Sequence, residues 1–378
     1  AIADLAHQQS KDQKAIQIST EAIALAQQTG DAASEAAACL VAARVYLTRG
    51  DNDQALPLLE QGIGQARAAG NTALEATLRR HVGNVWRQRG DYDREAAYLE
   101  QARALLETSH DQAQMQTVLN WLGHNFYHRG RYAQSRRSLE QGLALGDLVG
   151  DPSRISKSQE GLGRYELIMG NTATARRLFL QGIEINERIQ DPWQLGYTIL
   201  GMARAARIEG KVDEALAHAH RAKEIAPKHR LRELEADSLV ILGYVSIERL
   251  DWSDGEAYFR ASLAHWQSIG HRVKIVEAGA GLAYCLWRQG KSQEALSHVG
   301  TILPQLLAEN LYGCMAPLAP YFLAAQVLQT QAPAQAAALE DRIDQILQRE
   351  ADDFSNPDDR TRFLDCHPLV QMRRRMTL

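Results

Sequence analysis

The sequence predicts an all-α protein, an α-solenoid of antiparallel helix pairs that repeat about every 40 residues. Two observations predict this fold: glycine returns at a fixed interval, and the stretches between glycines carry apolar residues three and four positions apart. The main series consists of Gly50, Gly90, Gly130, Gly170, Gly210 and Gly290, with Leu250 at the one missing position. A second series, half a repeat away, includes Gly30, Gly70, Gly150 and Gly270. Each repeat therefore contains two helix ends.

The residues around these glycines indicate where helices end and begin. A glycine takes the left-handed conformation that closes a helix, and an Asp or Asn directly after it accepts hydrogen bonds from the free amides of the next helix. Gly30-Asp31 and Gly150-Asp151 are two such pairs. Between the pairs, apolar residues recur at helical spacing and no stretch alternates with a period of two. We therefore expect two helices of roughly 15 to 17 residues in each repeat and no sheet.

The glycine register also predicts the organisation of the chain. The predicted repeats are 31–70, 71–110, 111–150, 151–190, 191–230, 231–270, 271–310 and, more weakly, 311–350, which with a partial first repeat over 1–30 make a solenoid of 1–350. Ser10 lies one repeat before Gly50, so we expect the helix that precedes Ser10 to be cut short. Residues 351–378 are expected to form an acidic linker and a capping helix, because terminal repeats need a polar outer face. The partial first repeat and the initial Ala1 predict that this is the C-terminal region of a longer protein.

Small and large residues occupy fixed places within the repeats. A large-then-small pair precedes several turns, at Leu122-Gly123, Leu162-Gly163, Leu242-Gly243 and Leu282-Ala283. Small residues recur early in the second helix at Ala55, Ala175, Ala215 and Ala295. This pattern resembles the tetratricopeptide repeat (TPR) family, although Glu95 and Ser135 replace the early small residue and the period exceeds the usual 34. The resemblance implies a right-handed superhelix whose inner, concave wall is lined by the first helix of each pair.

Composition narrows the class of protein. The net charge of −4 and a pI near 6.3 argue against a general nucleic-acid-binding protein. Four cysteines without any pairing pattern are typical of a reducing compartment, and neither a membrane-spanning run nor a signal peptide is present in the sequence. We therefore expect a cytoplasmic protein that makes no membrane contact.

The sequence contains no recognisable catalytic, cofactor or metal motif. Gly210-Lys211 and Gly290-Lys291 lack the earlier glycine that a phosphate-binding loop requires. His124 and His128 are four residues apart on one helix, but no third metal ligand accompanies them. We expect this chain to have no enzymatic activity, no cofactor and no metal, and to pack its helical Gly-x-Gly sequences rather than use them for nucleotide binding.

Polar and aromatic residues on the first helices form a candidate groove. Its residues are Arg44, Arg80, Asn84, Arg87, Asn120, His124, Tyr127, Arg164, Arg204 and Arg207, followed by Tyr244, Tyr284 and Trp287. The first ten carry an excess of positive charge, and the stripe becomes apolar and aromatic at the last three. Arginine donates two parallel hydrogen bonds to a carboxylate, so this groove is suited to a peptide or protein segment with an acidic part and an apolar anchor.

Simpler interpretations remain for both parts of the groove. In the first alternative, the polar residues bind no ligand and only keep the inner wall solvated. In the second, the aromatic residues pack against the curled end of the solenoid itself. By resemblance, TPR grooves hold a backbone or a terminal carboxylate with Asn and basic residues, and Asn84 and Arg80 are the nearest matches to that role.

The long repeats, the truncated start and the C-terminal ending resemble the sensor region of bacterial STAND-type ATPase regulators. This resemblance implies a ligand- or partner-sensing arm that works with N-terminal domains of the same chain. Two alternatives are a peptide-binding receptor or adaptor without an ATPase module, and a substrate-recruiting arm of a multidomain enzyme.

Overall fold

The computed structural model describes residues 2–109, 111–229, 231–308 and 310–376, with side chains from 11 to 373 within these ranges. Residue 1 of the predicted segment 1–30 and residues 377–378 of the predicted segment 351–378 therefore lie outside the described part. The helices are α1 (Ile2–Thr29), α2 (Ala32–Arg49), α3 (Asn52–Ala68), α4 (Thr72–Gln88), α5 (Tyr92–Ser109), α6 (Gln112–His128), α7 (Tyr132–Val149), α8 (Pro152–Ile168), α9 (Thr172–Ile189), α10 (Pro192–Ile208), α11 (Val212–Lys228), α12 (Arg232–Glu248), α13 (Trp252–Ile269), α14 (Arg272–Arg288), α15 (Ser292–Ala308), α16 (Ala319–Leu328), α17 (Pro333–Ala351), α18 (Pro357–Cys366) and α19 (Pro368–Met376). The predicted all-α fold of antiparallel helix pairs is confirmed.

The turns have the chemistry that the sequence predicts. Glycines of both series adopt positive φ, and the Asp31 and Asp151 side chains accept hydrogen bonds from the amides of Ser34 and Arg154. Leu250 also adopts the left-handed conformation, with φ of 62°, although its side chain makes this unfavourable. The turn geometry is therefore kept even where glycine is absent.

The first helix differs from the prediction. We expected the helix before Ser10 to be cut short, but α1 runs without interruption from Ile2 to Thr29. Ser10 therefore lies inside a helix, whereas Gly50, one repeat later, ends one.

The chain divides into two compact units, Ala1–Leu122 and Gly123–Leu378, here called the N-terminal and C-terminal units. In the N-terminal unit, small and branched side chains of α2, α3 and α4 form the core, including Cys39, Leu59 and Leu78. In the C-terminal unit one apolar core extends from Tyr127 to Met372. Within it the first helices α8, α10, α12 and α14 lie side by side.

The regular alternation ends after α15. A non-helical segment over 310–318 precedes α16, which has only 10 residues, and α17 to α19 follow. Side chains of the last helices contact residues far earlier in the C-terminal unit, near the α6–α7 and α8–α9 turns. In the described residues, no helix has the length and apolar character needed to span a lipid bilayer.

Candidate functional site

Two arginines of the N-terminal unit flank one tryptophan. Arg80 and Arg87 lie two turns apart on α4, and their Cζ atoms are 5.9 and 5.4 Å from the centre of the Trp121 ring on α6. Guanidinium groups are attracted to the face of an aromatic ring, which also restricts their motion. Both arginines are half-buried. Together with Arg44 and Asn84 they form what is here called the N-terminal basic wall, comprising Arg44, Arg80, Asn84, Arg87 and Trp121.

Hydrogen bonds fix the orientation of this wall. Arg87 Nη2 donates to Asn84 Oδ1 at 3.0 Å, and Arg80 Nη2 donates to His81 Nε2 at 3.2 Å. Burial, with the nearby charges of Arg80 and Arg44, lowers the pKa of His81 to about 3. His81 is therefore neutral near pH 7, and the positive charge of the wall comes from its three arginines.

Other basic residues of the N-terminal unit are neutralised locally. Arg67 and Arg79 both pair with the buried carboxylate of Glu75, at 3.0 and 2.7 Å. Asn120, which the sequence places in the groove, is buried with an exposed fraction of 2%. Arg67 and Arg79 therefore belong to a local ion-pair group around Glu75 rather than to the N-terminal basic wall.

In the C-terminal unit, the predicted groove residues on α6, α8 and α10 surround a buried carboxylate. Glu160 lies 3.8 Å from His124 and 3.9 Å from Arg164. Arg204 is buried and donates from Nη2 to the Tyr127 hydroxyl at 2.9 Å, while the Arg164 Cζ lies 4.1 Å from the centre of the Tyr127 ring. Burial raises the pKa of Glu160, and Arg164 and Arg204 oppose that rise.

Arg207 and Tyr244 form a second group. Arg207 donates from Nε and Nη2 to Glu248 at 3.2 and 2.9 Å, and its Cζ lies 4.9 Å from the centre of the Tyr244 ring. Tyr244 is fully buried and donates to Glu277 Oε1 at 3.4 Å. The positive charge predicted along α8 and α10 is thus offset by Glu160 and Glu248.

The non-helical segment 310–318 is attached to α14 by Glu277. The amides of Met315 and Ala316 donate to the two oxygens of this carboxylate, each at 2.9 Å. Lys274 lies 3.7 Å from Glu277 Oε2 and donates to Asp237 at 2.8 Å. Burial raises the pKa of Glu277, and Lys274 and the two amides oppose the rise. The aromatic stripe at Tyr244 is therefore covered by the chain itself, as the packing alternative expects.

Tyr284 and Trp287 lie in a third group, on α14. Their ring centres are 5.7 Å apart, and Arg288 donates from Nη1 to the Tyr284 hydroxyl at 2.9 Å. The Arg288 Cζ also stacks on Trp252, 4.3 Å from its ring centre. Tyr284 is buried, whereas Trp287 stays half-buried. This group packs α13 against α14 and keeps one aromatic edge accessible.

Several residues that shape these groups were not among the predicted site residues. Trp121 occupies the position of His81 one repeat later, so the repeat register could have placed it on the same wall. Glu160 precedes Arg164 by one helical turn, a spacing that predicts an ion pair. Glu350 and Phe363 come from the end of the chain, and no local pattern connects them to the groove.

The arrangement offers donors for an anion rather than reactive groups. Within the described ranges, no set of three His, Cys, Asp or Glu side chains is placed to hold a metal ion. The four cysteines are free thiols, and burial raises the pKa of Cys285 to about 12 and that of Cys39 to about 11. The Cys39 and Cys285 thiols are therefore poor nucleophiles near neutral pH.

Several solved structures resemble this fold. A Rap protein complexed with competence and sporulation factor matches with a TM-score of 0.59 and 13% identity, over 91% of this chain and 97% of that chain. The Rap conjugation gene regulator of the plasmid pLS20, in complex with the Phr* peptide, matches with a TM-score of 0.61 and 9% identity. The match covers 92% of this chain and 98% of that chain. Aspartyl phosphate phosphatase F from Bacillus subtilis matches with a TM-score of 0.53 and 12% identity, over 77% of this chain and 75% of that chain.

These likenesses establish the fold, a TPR-like array of helix pairs. No protein-family profile and no curated protein sequence matches this chain.

Proposed function

We propose that this chain is a peptide- or protein-binding module and that the N-terminal basic wall recognises an acidic part of its ligand. The observation that carries the proposal is the pair of arginines held on Trp121, with Asn84 fixed by Arg87. Because stacking and hydrogen bonding orient these side chains before a ligand arrives, less conformational entropy is lost on binding. A carboxylate then accepts paired N–H bonds from a guanidinium fork.

The same wall also suits an apolar anchor. Trp121 is half-buried and lies beside both guanidinium groups. A ligand with one aromatic or aliphatic residue next to its acidic residues would bury more of this ring, and such anchors dominate the energy of small interfaces. The ligand class proposed is therefore an acidic peptide segment with an apolar residue.

Fold neighbours support a peptide as the ligand. Two of the matching structures were determined with competence and sporulation factor or with the Phr* peptide bound. Both matches extend over more than nine-tenths of this chain. For this chain, we take peptide recognition as the function that fold and basic wall support together.

The wider context proposed is that of a cytoplasmic sensing arm of a larger bacterial signalling or transcription regulator. Occupation of the wall would then alter the domains joined to the array. Sequencing the coding region upstream of Ala1 tests this context. A Walker loop there would support the regulator, and a helix-turn-helix would support a peptide receptor without an ATPase. A catalytic domain would support a substrate-recruiting arm of an enzyme.

A peptide array tests the binding proposal directly. Peptides of about 12 residues, graded in net charge and carrying or lacking one aromatic residue, would be probed with the wild-type chain and with the Arg80→Ala/Asn84→Ala/Arg87→Ala variant. We expect wild-type binding to favour acidic peptides with an aromatic residue, and the variant to lose at least about tenfold in affinity.

A matched variant controls for overall charge. Arg49→Ala/Arg103→Ala removes two arginines that pair with exposed carboxylates of the same unit, as the wall variant removes two. The control should bind like the wild type. An equal loss of peptide affinity in both variants would show that the effect comes from net charge, and would contradict the assignment of the N-terminal basic wall as the binding site.

A further inference from the structure

The end of the chain packs on two turns of the C-terminal unit. Residues 350–373, here called the strap, include the end of α17, α18 and the described part of α19. The Ala133 amide at the start of α7 donates to Asp353 Oδ2 at 2.7 Å, and Tyr132 donates to Glu350 Oε2 at 3.5 Å. Arg362 Nε donates to the Met169 carbonyl at 2.9 Å, in the α8–α9 turn. These contacts join positions about 190 to 220 residues apart.

An aromatic anchor fixes the strap. Phe363 is fully buried, and its ring centre lies 5.5 Å from Tyr132, 5.4 Å from Phe354 and 5.3 Å from His367. The strap is therefore held by several buried apolar side chains, Phe354, Phe363, Leu369 and Met372, and by the hydrogen bonds at its edges.

Two turn glycines make room for the strap. A β-carbon at Gly170 would lie 2.7 Å from the Cys366 β-carbon, and one at Gly130 would overlap Glu350. At Gly50, Gly210 and Gly290, which have the same positive φ, an added β-carbon would meet no atom within 4 Å among the residues described. Gly130 and Gly170 thus serve both the turn and the close approach of the strap.

Asn171 also departs from the role its position predicts. The side chains of Asp151 and Asp191 cap the helices that follow them, but that of Asn171 makes no such hydrogen bond to α9. It accepts instead from Arg362 Nη2 of the strap. The Asn171 side chain therefore contacts the strap and does not cap α9.

The strap covers predicted groove residues. Tyr127, Tyr132 and Glu350 line a small pocket together with residues of segment 310–318. Tyr132 meets Tyr127 edge-on at 5.4 Å, and Tyr127 in turn contacts Arg164 and Arg204. The Glu350 carboxylate is thus separated from the two arginines by a pair of tyrosine rings.

We propose that the strap is an internal ligand of the C-terminal surface around Tyr132 and the α8–α9 turn, a displaceable acidic and aromatic segment that an external acidic peptide with an aromatic anchor replaces. Glu350, Asp353 and Phe363 supply the two carboxylates and the anchor that the peptide would bring. This inference rests on the proposed function, and it adds a second binding surface together with a device that regulates access to it. Occupation of the surface by the strap keeps Tyr132 covered until the ligand competes.

The Gly170→Ala variant tests whether the strap can be released without unfolding the array. Its methyl group displaces Cys366, whereas Gly210→Ala adds the same methyl at the same kind of turn without touching the strap. Hydrogen exchange of residues 357–373 should accelerate at least about tenfold in Gly170→Ala relative to Gly210→Ala, with α10 to α14 equally protected in both. Equal exchange in the two variants, or loss of protection throughout Gly170→Ala, would overturn a releasable strap.

A labelled peptide of residues 349–367 tests the internal-ligand claim. It should bind full-length Gly170→Ala at least about tenfold more tightly than full-length Gly210→Ala, and the same peptide with Phe363→Ala should bind neither. Faster exchange without tighter binding would reduce the strap to a loose cap and refute the claim. Because the proposed function is measured with variants of the N-terminal basic wall, its failure would be seen separately.

Discussion

The Arg204 guanidinium donates from Nη2 to the Tyr127 hydroxyl at 2.9 Å, which links α10 to α6 past the intervening helix α8. Arg164 of α8 stacks on the same ring, and both arginines act on the buried Glu160 carboxylate. One tyrosine thus organises two cations from two successive repeats. Hydrogen bonding, stacking and charge compensation thus connect the first helices of neighbouring repeats.

Removing Arg204 should destabilise the C-terminal unit. Arg204→Met keeps most of the apolar stem but leaves Glu160 buried with less compensation, and we expect the free energy of unfolding to fall by about 2 to 4 kcal/mol. Urea denaturation measures this change. Arg221→Met removes an exposed arginine that pairs with Glu187, and should cost less than about 0.5 kcal/mol. Similar values for the two variants would show that Arg204 has no structural role.

Replacing Leu250 with glycine should stabilise the protein. Leu250 holds φ at 62° with 66% of its surface exposed, so its side chain gains little burial in return for the strained backbone. We expect Leu250→Gly to raise the free energy of unfolding by about 1 kcal/mol. Leu307→Gly, at an exposed leucine inside α15, should lower it by about 1 kcal/mol. Thermal and urea unfolding of both variants would check the opposite signs.

The strap should depend on the charge of Glu350. Burial raises the pKa of this carboxyl to about 7, with Asp353 adding to the rise and Arg349 and the Tyr132 hydroxyl opposing it. The folded state therefore binds a proton more tightly than the unfolded state, and this stabilisation is lost as pH rises through 7. Glu350→Gln keeps the shape without the charge, so its free energy of unfolding relative to wild type should rise between pH 5 and pH 8 by about 2 to 3 kcal/mol.

The comparison between variant and wild type isolates Glu350. Burial also lowers the pKa of His367 to about 3, which weakens the strap as pH falls below the ordinary histidine value. That effect is common to both proteins and cancels in the difference. A pH-independent difference would contradict the assignment to Glu350.

Segment 310–318 should detach when Glu277 is truncated. Glu277→Ala leaves the Met315 and Ala316 amides without their acceptor and removes one of the carboxylates beside buried Lys274. We expect a loss of about 3 to 5 kcal/mol in unfolding free energy and faster hydrogen exchange at 315 and 316. Glu224→Ala, at an exposed position of α11, should change neither measurement. Unchanged exchange at those amides would contradict the role of Glu277.

Local chemistry allowed much of the fold to be predicted. The pair Gly150-Asp151 ends one helix and caps the next in the structure, because both effects depend only on adjacent residues. The interval alone pointed to a turn at Leu250, even though the residue type argued against one. The same interval did not predict Ser10 correctly, because this residue lies inside the continuous helix α1.

The candidate site was less predictable, because its geometry depends on contacts between repeats and with the end of the chain. Helical spacing placed Arg80, Asn84 and Arg87 on one face of α4, but not the ring of Trp121 between the arginines. Arg204 is present in the predicted stripe, yet its burial depends on neighbours from other repeats. The seating of Phe363 on Tyr132 joins residues too distant for any sequence pattern used here.

Photo-cross-linking of a bound peptide tests the central claim most directly. The tightest acidic peptide from the array would carry a photoreactive residue beside its acidic residues, and the cross-linked positions would be mapped by mass spectrometry. The account predicts cross-links in α2, α4 and α6 around Arg44, Arg80, Arg87 and Trp121, lost in the Arg80→Ala/Asn84→Ala/Arg87→Ala variant. Cross-links confined to the second helices α3 and α5, or unchanged in that variant, would contradict it.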